Sequence, residues 1–425
     1  MKNLFDKGLL AATALLIGAL TSSCVYDRDS DVVTPSGGDG KLVININSSP
    51  VGSKTRATVI TDGSSSENST AEETITTMAI GIFSSDGATK KDYQYLSGLT
   101  GTASDWSTVT EHKALTNAIA AGDKVYVVVN VNSTVSDLLA ATTTAAAFRA
   151  VLNTIDQSLI FADTYTAAQT IDAAKLPMYG SGTIAAATDG TTGNFEVDVN
   201  VIHMVSKVTL NALTVSAPAS CQFTPTAIFL INVPEKLNFT FTTDGDESTY
   251  GFNGVTTKFF QGESAAVASS TNVTTGNLTT RGYRDYLGTG ALTLSAVDAS
   301  NPLAGTYTFY TMPNNSNTDD DTRLVIAGNW SDDGGSSSTA CWYTIELNNV
   351  ASDGALSKNL YPNRHYKVNV DIKRIGALNV ADDATGAYNG LNTQNAVHAT
   401  VNVQNWSDGS KSTTFGGNGG AASES

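Results

Sequence analysis

Lys41-Leu42-Val43-Ile44-Asn45-Ile46-Asn47 is the stretch from which the rest of the chain can be read outward. Leu42, Ile44 and Ile46 fall on one side of an extended backbone, and Asn45 and Asn47 fall on the other. That period-two alternation marks a half-buried strand. Ser48 to Thr55 follows, polar apart from Pro50 and Val51, and ends on Arg56. An apolar strand separated from its body by a polar segment and a basic residue is open to proteolytic removal. We read Leu42, Ile44 and Ile46 as the inward face of a removable strand.

The same alternation recurs downstream. Met78 to Phe83, Asp123 to Val131, Phe195 to Val201 and Val205 to Leu210 read as strands, and Asp123 to Val131 carries the strongest buried-strand signal. Beyond these, strands are expected at Ala227 to Val233, Leu237 to Thr242, Tyr307 to Met312, Arg323 to Ala327, Trp342 to Leu347 and His365 to Arg374. Asn329 to Gly335 has the composition of a hairpin turn. Leu176-Pro177-Met178-Tyr179-Gly180 reads as a turn, and Ser64 to Glu73 as a polar, mobile stretch. One helical excursion is expected between Ser136 and Ile160, with Ser136-Asp137 as its N-cap. Many short strands without a periodic repeat describe an all-β protein built of β-sandwiches. A chain of 425 residues exceeds one ordinary core, so two domains are expected, with the boundary near Ser216 to Ser220.

The N-terminus reads as a targeting segment. Lys2 and Lys7 precede an apolar run from Leu9 to Leu20, short of the ~20 residues of a membrane helix. The run closes on Leu20-Thr21-Ser22-Ser23-Cys24, which resembles a bacterial lipobox with Cys24 as the lipidated residue. An ordinary secretory signal with an incidental cysteine is the other reading of the same residues. Thr21 stands where a lipobox usually has an apolar residue. Val25 to Gly40 is a polar tether.

Net charge is −16 with only 15% charged residues, and no basic stripe exists to displace counterions from phosphates, so nucleic acid is not an expected partner. Cys221 and Cys341 are too few for a disulfide framework, and we expect them buried without a bond. The four histidines, His112, His203, His365 and His398, lie outside any zinc-ligand spacing, so no metal and no cofactor are expected. His203 and His398 read as strand side chains on a polar or semi-buried face. Asn317 to Thr322 lacks the spaced ligands of a calcium loop and reads as a solvated turn. No catalytic elbow or phosphate loop appears, and no carboxylate pair is singled out, so no enzyme is expected. Tyr93, Tyr95 and Trp106 read either as core or as a sugar-stacking platform. Leu176 to Gly180 differs from the sortase signal at Tyr179, where threonine is required.

With no chemistry in the interior, the ends of the chain become informative. Val397, Ala399, Val401 and Val403 share one face of the last strand, in the same alternation as Leu42, Ile44 and Ile46. Lipobox-like Cys24 and the junction at Arg56 resemble those of the FimA-like fimbrillins, the subunits of type V pili in Bacteroidetes. The resemblance continues in Val125 to Asn130, Leu176 to Gly180, His203 to Leu210, Tyr361 to Val370 and Val401 to Trp406, and spans nearly the whole chain.

That resemblance implies two tandem β-sandwich domains, Greek-key and transthyretin-like, with a minor helical excursion in the first. Residues 1–23 would be the lipoprotein signal, 24–56 the lipidated tether and removable strand, 57–215 and 216–395 the sandwiches, and 396–425 a donor strand and Gly-rich tail. It implies cleavage between Arg56 and Ala57 by an arginine-specific surface protease, with Lys54 as a second choice for a trypsin-like enzyme. It further implies attachment to the outer membrane through the lipid before processing. The partners would be identical or related pilin subunits, whose C-terminal strands (Val397, Ala399, Val401, Val403) enter the vacated groove. A surface lipoprotein that binds glycans and never polymerises, or a secreted β-sandwich hydrolase, are the competing classes.

Overall fold

A computed structural model of the chain describes residues 41–47, 71–101, 111–114, 119–155, 173–186, 194–234, 236–237, 239–241, 250–252, 258–262, 283–284, 295–304, 306–314, 321–347, 350–352, 355–357, 359–378, 397–405 and 411–412. The first group of strands is β1 (Lys41–Asn47), β2 (Thr77–Phe83), β3 (Lys90–Ser97), β4 (Glu111–Ala114), β5 (Lys124–Val129), β6 (Met178–Thr183), β7 (Ala185–Ala186) and β8 (Phe195–His203). They form one 8-stranded sheet in the order β3-β2-β5-β6-β8-β1-β4, with β7 added beside β8.

The period-two patterns decide what each face of this sheet covers. Met78, Ile80 and Ile82 of β2, Val125, Val127 and Val129 of β5, and Val197, Val199 and Val201 of β8 share one buried cluster with Leu42, Ile44 and Ile46. β1 and β2 are far apart in strand order, yet Leu42 and Ile44 line a common small cavity with Ile80 and Ile82. The sheet therefore curls until its two ends face each other, the two-layer solution that buries a continuous apolar face. On its other face Phe83, Tyr126 and Tyr179 meet Leu139, Phe148 and Leu152.

Those last three residues come from the helical excursion, which the structure corrects in detail. Among its described residues are two short helices, α1 (Ser133–Ala141) and α2 (Ala145–Val151), and a 3-10 turn at Leu152–Thr154. Asn132, not Ser136, caps α1: its side chain accepts from Val135 N at 3.0 Å. Thr144 caps α2 by accepting from Ala147 N at 3.1 Å. Short oxygen-bearing side chains at both starts satisfy otherwise unpaired helix N–H groups. Ser136 is instead buried inside α1, where its hydroxyl meets Tyr93 Oη at 2.8 Å.

The expected turn at Leu176 to Gly180 is also corrected. Met178, Tyr179 and Gly180 pair with β5 and β8, and only Leu176 and Pro177 precede the strand. Proline lacks the N–H that a ladder needs, so it stands just outside. Gly180 permits the close approach, because a Cβ there would lie 2.3 Å from the Asn200 carbonyl oxygen.

The remaining strands, in chain order, are β9 (Ser206–Val215), β10 (Gln222–Pro234), β11 (Phe239–Phe241), β12 (Tyr250–Phe252), β13 (Lys258–Gly262), β14 (Tyr283–Arg284), β15 (Tyr307–Thr311), β16 (Arg323–Ser331), β17 (Thr339–Glu346), β18 (Val350–Ser352), β19 (Ala355–Ser357), β20 (Arg364–Ile372), β21 (Val397–Asn405) and β22 (Lys411–Ser412). Two 5-stranded sheets result, β14-β13-β10-β16-β17 and β15-β9-β20-β21-β22. Phe223, Ile228, Leu324, Ile326 and Tyr343 of the first share a core with Val208, Leu210, Phe309, Tyr366 and Val368 of the second, which is sandwich packing. Strand pairing changes partners between His203 and Ser206, ahead of the boundary expected after residue 215, because β9 bonds to β15 and β20. Met204-Val205 carries the chain across without a glycine or proline to announce the change.

Hairpin β16–β17 agrees with the turn composition read at Asn329 to Gly335, and Gly334 and Gly335 take positive φ of 73° and 94°. Asn317 to Asp320 lies outside the described residues. Asp321 and Thr322, assigned with it to a solvated turn, are buried. Asp321 is held there by Arg323, whose Nε and Nη2 donate to its two oxygens at 2.9 and 2.6 Å. A paired, hydrogen-bonded carboxylate can leave water where a lone one cannot.

Candidate functional site

β1 is an interior strand. It runs parallel to β8 from Leu42 opposite Phe195 to Asn47 opposite Asn200, and antiparallel to β4 from Lys41 opposite Ala114 to Ile44 opposite Glu111. Leu42, Ile44 and Ile46 are 1%, 9% and 3% exposed, so all three reach the core. Fully burying such a side chain contributes about 1.5–3 kcal/mol. Their floor is Val197, Val199 and Val201 of β8 and Ile80 and Ile82 of β2. Asp92, Tyr93 and Gln94 of β3 border the cavity beside Leu42 and Ile44.

Loss of β1 would open a cleft with these walls. β8 would lose a ladder over six register positions, and β4 its one strand partner among the described residues. Unpaired backbone groups beside exposed apolar side chains form a template for another strand.

The C-terminal strand β21 lies in a different sheet from β1. It pairs antiparallel with β20, placing Val397 opposite Ile372, Ala399 opposite Val370, Val401 opposite Val368 and Val403 opposite Tyr366. Ala399 and Val401 are buried. Among the described residues, β21 bonds on its far side only to the short β22, at Asn402 and Val403. Cys24, Lys54, Arg56, Ala57, Trp106, Trp406 and Phe415 lie outside the described residues.

Tyr93 and Tyr95 are turned into the fold, not out to a sugar. Tyr93 Oη donates to Ser136 O at 2.9 Å, and Tyr95 Oη to Val131 O at 3.0 Å. Cys221 and Cys341 are buried free thiols, and burial pushes the Cys341 thiol upward in pKa. Among the described residues no group of three or more His, Cys, Asp or Glu side chains is placed to hold a metal.

A buried polar cluster escaped sequence reasoning. Glu72, assigned to the mobile stretch Ser64 to Glu73, is 1% exposed. Lys207 of β9 approaches its Oε1 at 2.7 Å, and Tyr310 of β15 donates to the same oxygen at 2.5 Å. His203 Nε2 stands 3.0 Å from the Glu72 carbonyl oxygen. His365 of β20 contacts Thr209 Oγ1 at 2.9 Å through Nε2. Desolvation lowers the pKa of His203, and, aided by the charges of Lys207 and Lys367, brings that of His365 to about 3. Burial and the Glu72 charge push the Tyr310 phenol far up. His203 is thus more deeply buried than a semi-buried strand histidine. His398 sits in β21 opposite Asp371. The available signal was Lys207, a charge inside an alternating run; nothing local to Glu72 announced its role.

No family model matches the chain and no curated protein matches it. Among solved structures, a "putative cell adhesion protein" from Parabacteroides distasonis ATCC 8503 superposes over 88% of this chain and 99% of its own, at TM-score 0.54 and 14% identity. A protein of the same description from Bacteroides eggerthii DSM 20697 covers 88% of this chain and 97% of its own, at TM-score 0.50 and 16% identity. A fimbrilin from Porphyromonas gingivalis W83 covers 87% and 98%, at TM-score 0.41 and 13% identity, too distant a superposition to argue from. This chain therefore has the fold of these two proteins of Parabacteroides and Bacteroides.

Proposed function

We propose that the chain is a fimbrillin-like structural subunit of a surface pilus. It is exported as a lipoprotein through Cys24, cut between Arg56 and Ala57 by an arginine-specific protease, and joined head-to-tail to further copies. The observation that carries this reading is the position of β1: an interior strand with three buried apolar side chains, only a few residues ahead of Arg56. Severing it from the body trades a private partner for an open cleft. Val397, Ala399, Val401 and Val403 of a neighbour then take the place of Leu42, Ile44 and Ile46. Strand addition restores the ladder, and alternate side chains fill the floor.

Because donor and groove are different surfaces, such contacts need not close into a ring, and an open filament follows. The exchange has a cost. β21 must leave β20, giving up its register from Val397 to Asn405 and uncovering Val401. Val and Ala side chains also fill less of the groove than Leu and Ile. Backbone pairing along the whole segment is what offsets these losses.

Trypsin treatment of the purified full-length chain tests the reading. Cleavage at Arg56 should yield a ladder of oligomers, while an Arg56→Ala, Lys54→Ala chain stays monomeric. A chain lacking residues 397–425, shown by circular dichroism to be folded, should be cut and remain monomeric. Undiminished polymerisation of that truncated chain would overturn the donor assignment.

A further inference from the structure

Residues 71–77 connect the region after Arg56 to β2, and they are fastened on every side. Ile75 N donates to Gly101 O at 2.9 Å, and Leu99 N to Thr76 O at 3.0 Å. Asn130, at φ 58°, accepts from Thr76 N at 2.9 Å and donates from Nδ2 to Thr74 O at 2.8 Å. Thr77 Oγ1 donates to Val131 O at 2.7 Å. Glu72 then ties this segment to three strands at once. Its carbonyl meets His203 of β8, and its carboxylate holds Lys207 of β9 and Tyr310 of β15.

None of these hydrogen-bond partners lies in β1. The two strand groups of the fold also meet here, since β8 belongs to the curled sheet and β9 and β15 to the sandwich. We infer that residues 71–77, with Glu72 as the positioning residue, are the fixed end of the processed subunit: they keep the chain joined to both strand groups once β1 has gone. This rests on the processing reading above. A carboxylate this buried persists only while a cation and hydrogen-bond donors hold it. Glu72 has both, from Lys207 of β9 and Tyr310 of β15, and neither of those strands pairs with β1.

Hydrogen–deuterium exchange with mass spectrometry on the full chain, before brief trypsin treatment and in the monomer fraction after it, where no neighbour's strand has entered the groove, tests this. Cleavage should deprotect peptides covering residues 195–200 of β8 while those covering 71–77 keep their protection. In the uncut chain, Glu72→Gln should speed exchange about tenfold at 71–77, 206–210 and 307–311, as expected for loss of a charged hydrogen-bond pair, and leave 124–129 unchanged. Tyr310→Phe, which removes one hydroxyl, should show the same pattern more weakly, and serves if Glu72→Gln does not fold. Loss of protection at 71–77 together with β8 after cleavage would overturn the inference. So would unchanged exchange in the uncut variants. Unchanged exchange of β8 after cleavage would instead count against strand removal, and the uncut variants would still decide the role of Glu72.

Discussion

Lys207 Nζ lies 2.7 Å from Glu72 Oε1, with the two side chains 11% and 2% exposed, across the point where strand pairing passes from the first sheet to the sandwich. Removing one member of such a pair leaves the other charged and buried. Lys207→Met should therefore cost about 3–5 kcal/mol in urea unfolding of the full chain. Adding Glu72→Gln should recover part of that loss. Additive losses in the double variant would show that the two charges do not depend on each other.

Stability should fall in mild acid. The pKa of His365 is lowered from 6.5 to about 3 in the fold, and that of His203 is lowered as well. Between those values the unfolded chain binds protons that the folded chain refuses. The contribution of His365 is thus complete above pH 6.5 and is lost as pH drops toward 3, by up to about 1.4 kcal/mol per pH unit. Thermal melts from pH 7 to pH 4 should show the decline, and His365→Gln should flatten it. An unchanged slope in that variant would contradict the assignment.

Asn130 is the tightest local knot. Its side chain also donates to Leu176 O at 3.0 Å and accepts from Thr76 Oγ1 at 3.1 Å, and its φ of 58° is in the left-handed region. Asn130→Gly should cost roughly 2–4 kcal/mol in denaturant, because buried backbone groups lose their partners. Asn130→Ala should cost about 1 kcal/mol more, the strain of a Cβ at that φ. Equal losses would deny the backbone term.

Strand β1 stabilises only the uncut chain in this account. Ile46→Ala should lower the stability of the precursor by about 2–5 kcal/mol through lost burial and a cavity. The same variant should assemble faster after trypsin and give filaments of unchanged stability, since the altered strand is no longer there. Weakened filaments would mean that β1 stays in place.

What the sequence reveals follows the range of the forces involved. β1, β5, β8 and β20 announce themselves because alternation and β-branched runs are local. The buried thiols and the inward turn of Tyr93 and Tyr95 agree with composition and patterning as well. The N-cap falls at Asn132 and not at the expected Ser136 because both are good caps, and only the backbone selects between them. The parallel pairing of β1 with β8 and the transfer of β9 to the sandwich arise between distant segments and leave no periodic trace. Glu72 is the clearest case: in a polar stretch it looks solvated, and Lys207 and Tyr310, 135 and 238 positions away, make its burial tolerable.

Mass spectrometry of the N-terminus of the protein recovered from the cell surface tests strand removal most directly. Ala57 as the first residue is the predicted result. An acylated Cys24 still joined to Leu42, Ile44 and Ile46 in assembled material would contradict it.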